Sequence, residues 1–141
     1  MKPSEEPAKS GGDERAGFDV QIEHGQRLIV MGAWGFWSMP LAQECIKALL
    51  DSYKALHAAG RPWYFLADHR NFPAQAVDVQ AEISTTVRDA IKLGMKRSAS
   101  VLDSTITKLQ IRRLTGASGL PMDVFAFFTS EDQARKWVLK P

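Results

Sequence analysis

The chain has one cysteine, Cys45, in 141 residues, so no internal disulfide is available, and a reducing compartment, the cytoplasm, is the expected location. It has no apolar run of about 18 residues, which excludes a spanning helix and stable membrane insertion through one. The opening residues Met1-Lys2-Pro3-Ser4-Glu5-Glu6 are acidic with no apolar stretch behind them, so they do not read as a signal peptide. Strong charge of one sign is also missing. Eighteen Lys and Arg face sixteen Asp and Glu, a net charge of +2. The basic cluster Lys92, Lys96, Arg97, Lys108, Arg112 and Arg113 is diluted by Asp89 and Asp103 and lacks interleaved aromatics, so nucleic acid is not an expected partner. Histidines 24, 57 and 69 fall in separate segments, with none of the three or four convergent ligands a metal needs. The loop Gly116-Ala117-Ser118-Gly119 lacks the Gly-Lys-Ser or Gly-Lys-Thr ending of a phosphate cradle. Neither metal nor cofactor is expected, and the absence of internal repeats removes solenoids and propellers.

What is present reads as one α/β domain, large enough to bury a core unaided. Residues 1–17 carry Pro, Gly, Ser and mixed charge with little to bury, and are expected to be a disordered tail ahead of a domain at 18–141. Phe18 to Glu23 alternates apolar and polar, and Leu28 to Ala33 follows after a short turn, giving an antiparallel hairpin. Ser38 and Pro40 open a helix whose stripe is Leu41, Cys45, Leu49, Tyr53 and Leu56, with Gly60 at its end. Trp63 to Ala67 is apolar throughout, the pattern of a central strand buried on both faces. A helix over Val79 to Ile91, a short strand at Ala99 to Leu102 and a helix carrying Ile106, Leu109 and Leu114 come next. A strand over Val124 to Phe128 and a final helix complete the chain. In front of that helix, capping-box spacing occurs twice, Thr129 to Asp132 and Ser130 to Gln133. The order ββαβαβαβα implies a largely parallel sheet.

Function is expected where the central strand ends, in the polar loop Asp68-His69-Arg70-Asn71. Arg70 has the fork to grip an anion, and its alternative role is to pair with Asp68 while Asp68 organises the turn. His69 has the acid–base range but no partner group in its segment. Trp34, Phe36, Trp37 and Met39 sit at a strand-to-helix bend that cannot turn all four inward. One or two, Trp37 first, are expected at the surface as an apolar contact. Arg112 and Arg113, with Leu109, offer a further partner face on the third helix. Cys45 lies on the buried stripe and reads as an inert thiol.

Four stretches in this order and spacing carry a family resemblance: Trp34-Gly35-Phe36-Trp37-Ser38, Leu66-Ala67-Asp68-His69-Arg70-Asn71-Phe72, Leu109-Gln110-Ile111-Arg112-Arg113-Leu114, and Phe128-Thr129-Ser130-Glu131-Asp132-Gln133-Ala134-Arg135-Lys136-Trp137. They resemble the SpoIIAA-like family, relatives of the STAS domains of anti-anti-sigma factors. The resemblance implies a STAS-like sheet with helices mainly on one face, in a small cytoplasmic binding module. Those factors are switched by a serine in an Asp-Ser-Ser-Gly loop after the equivalent strand. Here residues 68–77 contain neither Ser nor Thr, so that switch is not carried over.

The expectation is a non-catalytic binding or regulatory module for a protein partner or a small apolar ligand, using Trp34, Trp37, Asp68, His69, Arg70, Asn71, Arg112 and Arg113. The alternative is a small enzyme acting on an anionic metabolite through Asp68, His69 and Arg70. A homodimer through the outer sheet face, where the phenylalanines of 125–128 lie, is a third expectation.

Overall fold

The computed structural model describes residues 8–103, 109 and 122–141. The strands are β1 (Lys9–Gly12), β2 (Gly17–Glu23), β3 (Leu28–Trp34), β4 (Trp63–Asn71), β5 (Met95–Val101) and β6 (Phe125–Phe128). Between them lie α1 (Met39–His57) and α2 (Val77–Lys92), and α3 (Glu131–Val138) closes the described chain. The six strands form one sheet whose spatial order follows the chain from β1 to β6. The pairs β1/β2 and β2/β3 are antiparallel, and β3/β4, β4/β5 and β5/β6 are parallel. Because β3, β4 and β5 step across the sheet in one direction, crossovers of one hand put α1 and α2 on the same face.

Alternation in the strands sorts the core into two layers. Phe18, Val20 and Ile22 stand opposite Ala33, Met31 and Ile29 in the β2/β3 ladder, and all six join Trp63, Phe65 and Ala67 under the α1/α2 layer. Leu28, Leu66, Ala99 and Val101 point the other way and are covered by Ala134 and Val138 of α3. The face opposite α1 and α2, the expected site of self-association, therefore carries a helix of its own.

Local chemistry explains the helix ends. Ser38 Oγ accepts the Leu41 N–H at 3.3 Å, with Pro40 in the first turn. At the far end of α1, the Arg27 guanidinium donates to Leu56 O (3.1 Å) and to Pro62 O (2.7 Å) and Arg61 O of the segment that follows, tying the helix end to the start of β4. Of the two capping options before α3 the chain takes Ser130, whose Oγ accepts the Gln133 N–H at 3.3 Å. Arg97 closes the other end of α3 by donating to Val138 O (3.0 Å) and Lys140 O. The Arg135–Glu23 pair, at 2.8 and 3.0 Å, ties α3 to β2.

Three expectations need correction. The tail expected over 1–17 is ordered from Lys9: β1 pairs Lys9 with Val20 and Gly12 with Gly17. Asp13 turns the chain, its Oδ1 accepting Arg15 N–H at 2.8 Å, and its carbonyl takes the Trp34 Nε1–H at 2.8 Å. Lys-Ser-Gly-Gly has no apolar alternation; backbone pairing and one indole hold it, which a search for apolar periodicity misses. The central strand runs on to Asn71, so Asp68 to Asn71 are strand rather than loop, because Asn71 still pairs with Trp34 across an irregularity in the β3/β4 ladder. The fourth expected strand begins at Met95, not Ala99. The helix expected around Ile106 and Leu114, with Arg112 and Arg113, lies outside the described residues except for Leu109, which is exposed.

Candidate functional site

The strand setting of 68–71 divides the expected site. Alternation along β4 sends Phe65, Ala67 and His69 to the α1/α2 face and Asp68 and Arg70 to the α3 face. Asp68 and Arg70 form a fork-to-fork pair, Nε to Oδ1 at 3.0 Å and Nη2 to Oδ2 at 2.7 Å, while Oδ1 also accepts the Arg70 backbone N–H at 3.1 Å. The Arg70 hydrogen bond holds the Asp68 carboxyl below the usual range, and Asp68 in turn raises the guanidinium. Arg70 thus has its carboxylate already, and His69 is not brought together with either residue. Asn71 is exposed, and its carbonyl accepts the Gly35 N–H at 3.0 Å.

On the α1/α2 face there is a cleft between sheet and helices, open to solvent, with a cavity volume of about 90 Å³. Its cause is visible in the ladder: Ala67 lies beside Ser100, and Phe65 beside Ser98, so small side chains pave part of the sheet where α2 contributes Ile83, Thr86, Val87 and Ala90 to the lining. Trp37, Tyr53, Phe65 and Phe72 form apolar walls, and Cys45 faces it from α1. Burial pushes the Cys45 thiol and the Tyr53 hydroxyl well up, so both stay neutral and Cys45 is a poor nucleophile.

His69 brings a buried, unpartnered polar atom to the cleft. It is 9% exposed and lines the cleft, and its Nδ1 is buried with no hydrogen-bond partner. Burial lowers its pKa to about 4, against a small opposing pull from Asp68, so the imidazole is neutral at pH 7. Its ring lies 5.5 Å from Phe72, which meets Trp37 edge-on at 4.9 Å. Native proteins satisfy nearly all their buried polar atoms, so this orphan calls for a reason.

Trp37 is a cleft wall rather than a surface residue. It is 3% exposed, with Nε1 donating to Gly17 O (3.1 Å) and Trp34 O (3.2 Å). The residue the bend turns outward is Phe36, 60% exposed. Trp34 is partly buried against the Asp13 turn and does not line the cleft. Gly35 permits this bend: φ is +77°, and a Cβ there would sit 1.9 Å from the Arg15 carbonyl.

Gln75, which sequence reasoning missed, fixes the bend that carries Trp37. Its Oε1 accepts the Trp37 N–H at 2.7 Å, and its Nε2 donates to Gly35 O (3.0 Å) and Pro73 O (2.7 Å). Only three-dimensional proximity identifies it, since 38 residues separate it from Trp37. Ser98 and Ser100 did leave a signal, two hydroxyls at strand spacing in an otherwise buried segment. Among the described residues, no group of three or more His, Cys, Asp or Glu is placed to hold a metal ion. No described helix is long and apolar enough to cross a membrane.

No protein-family model matches the chain, and no curated protein sequence does either. Solved structures do. An uncharacterised protein of the DUF3478 family from Shewanella loihica PV-4, itself with a SpoIIAA-like fold, superposes with a TM-score of 0.64 at 18% identity, covering 91% of this chain and 98% of that one. An anti-sigma factor antagonist from Mycobacterium paratuberculosis gives a TM-score of 0.54 at 16% identity, covering 98% and 97%. The mixed six-stranded sheet, its helices and these two superpositions together establish that the chain has a SpoIIAA-like fold.

Proposed function

We propose that the protein is a non-catalytic binding module whose cleft between the sheet and the α1/α2 layer holds a small, largely apolar ligand, and that it works in the cytoplasm. The observation that carries this reading is the cleft itself. Its walls are aromatic and aliphatic, it opens to solvent, and it contains one buried polar atom without a partner. Apolar surroundings favour a ligand that leaves water, while a single polar group fixes its orientation. Catalysis has less support, since Asp68 and Arg70 are joined to each other on the opposite face from His69. Native mass spectrometry of the purified chain tests the reading. An added mass in the metabolite or lipid range is expected, and it should disappear in Ser100→Leu, which fills the cleft floor. A bare chain under gentle ionisation, together with unchanged spectra in a small-molecule screen, would rule the reading out.

A second reading, a protein partner, has its own observation. Phe36 and Val77, 60% and 82% exposed, are large apolar side chains close in sequence to the two ends of the Trp37–Gln75 hydrogen bond. The likeness to an anti-sigma factor antagonist supports a regulatory contact of this kind, made without a phosphorylated serine in residues 68–77. Trp34, Asp68, Arg70 and Asn71 border this end of the sheet and would contribute its rim, and Arg112 and Arg113 are further candidate partner residues outside the described part of the chain. Phe36→Asp should abolish such a contact while leaving the cleft ligand in place.

A further inference from the structure

We infer that the cleft selects a neutral ligand carrying a hydrogen-bond donor, a hydroxyl or N–H on a compact apolar or aromatic body, which it delivers to Nδ1 of His69. The inference rests on the reading of the cleft as a ligand site and adds the chemical class of the ligand. Three observations converge on it. Nδ1 is buried and unpartnered, and the imidazole lines the cleft. A neutral imidazole intrinsically favours the Nε2–H tautomer, which leaves Nδ1 as an acceptor. The ring is kept neutral by burial, so it offers a lone pair rather than a charge.

The rest of the cleft argues against an ionic ligand. Among the described residues around it there is no Asp, Glu, Lys or Arg, and an unpaired charge entering such a site would lose its hydration without compensation. Arg70, the nearest guanidinium in sequence, is on the other face and bound to Asp68. The cavity volume of about 90 Å³ is below the roughly 150 Å³ of an apolar cavity that takes benzene. A single ring or short branched body, partly in the open mouth, is therefore the scale of ligand that fits. Trp37 and Phe72 are placed to meet its flat face or edge.

Phenol and toluene make the test, since they share shape and heavy-atom number and differ in the donor. In titrations of the full chain followed by backbone amide NMR, phenol is expected to bind roughly tenfold more tightly than toluene, although toluene is the more hydrophobic. His69→Phe should remove that preference. Because that variant removes a buried group and its fold could suffer, the wild-type imidazole is also read directly by nitrogen NMR. Nδ1 should show the signal of an unprotonated nitrogen and move upfield as phenol is added. Toluene binding as tightly as phenol, or a protonated Nδ1 in the free protein, would overturn the donor class and leave the ligand site standing. Binding of neither probe, with His69 unperturbed, would remove the ligand site and this inference with it.

Discussion

The two faces of the sheet are built on different terms. Under α3, small and medium side chains are covered by one eight-residue helix, and polar groups are closed off in pairs: Arg135 with Glu23, Arg97 with the carbonyls ending α3, Arg70 with Asp68. Under α1 and α2 the aromatic residues are larger and more numerous, with Trp63 stacked on Tyr53 at 5.0 Å, yet packing is incomplete and one imidazole nitrogen is left over. The face with more apolar material is thus the one with the void. Close packing depends on matched shapes rather than on the amount of hydrophobic surface. Ala67, Ser98 and Ser100 set a floor that the two overlying helices do not reach, so an unfilled volume follows from small residues in a layer of large ones.

The comparison can be broken most forcefully at its best-packed point. Trp63 is fully buried, and its Nε1 donates to Leu93 O at 2.7 Å. Trp63→Ala should cost about 3–5 kcal/mol in urea unfolding, whereas Ser100→Ala on the cleft floor should change stability little. A loss at Ser100 as large as that at Trp63 would mean that the floor is tightly packed.

Acid should expose the leftover nitrogen. The folded pKa of His69, about 4, lies below its ordinary 6.5, so the unfolded chain takes up a proton first as pH falls. Stability is then full above about pH 6.5 and declines towards pH 4, by about 3 kcal/mol in total. Unfolding of wild type and His69→Asn across that window checks it, since the variant should lose this part of the slope.

A smaller effect is expected at Gln75. Gln75→Ala strands the Trp37 N–H and the Gly35 carbonyl, and should cost about 1–3 kcal/mol. It should also speed hydrogen exchange at Trp37 more than at Trp63. The smallest change belongs to the opposite face. The Asp68–Arg70 pair is solvent-exposed, so Arg70→Ala should leave the unfolding midpoint close to wild type and remove what salt sensitivity the pair contributes.

The fold was legible from periodicity: the hairpin, the central apolar strand, the Ser38 and Ser130 caps and the sense of the parallel crossovers all leave local marks. The site was less legible for a physical reason. A polar run after an apolar strand reads as a loop, but two cross-strand partners, Trp34 and Val101, keep Asp68 to Asn71 within or beside the ladder. That one register decision determines which face each side chain takes, and so separated His69 from its neighbours. The strand at Lys9–Gly12 has no hydrophobic signature at all, and the burial of Trp37 depends on Gly17, Phe72 and Gln75, each far from it in sequence.

A strand order identical to chain order also has a consequence for synthesis. Each new strand finds its partner already beside it, so the sheet can extend one edge at a time as the polypeptide leaves the ribosome. Once Val101 has emerged, nearly all of the cleft's described walls exist, while Leu28, Leu66, Ala99 and Val101 still wait for α3. A nascent chain at that length would hold its pocket and show a bare apolar back, and the last helix is what makes it safe from its neighbours.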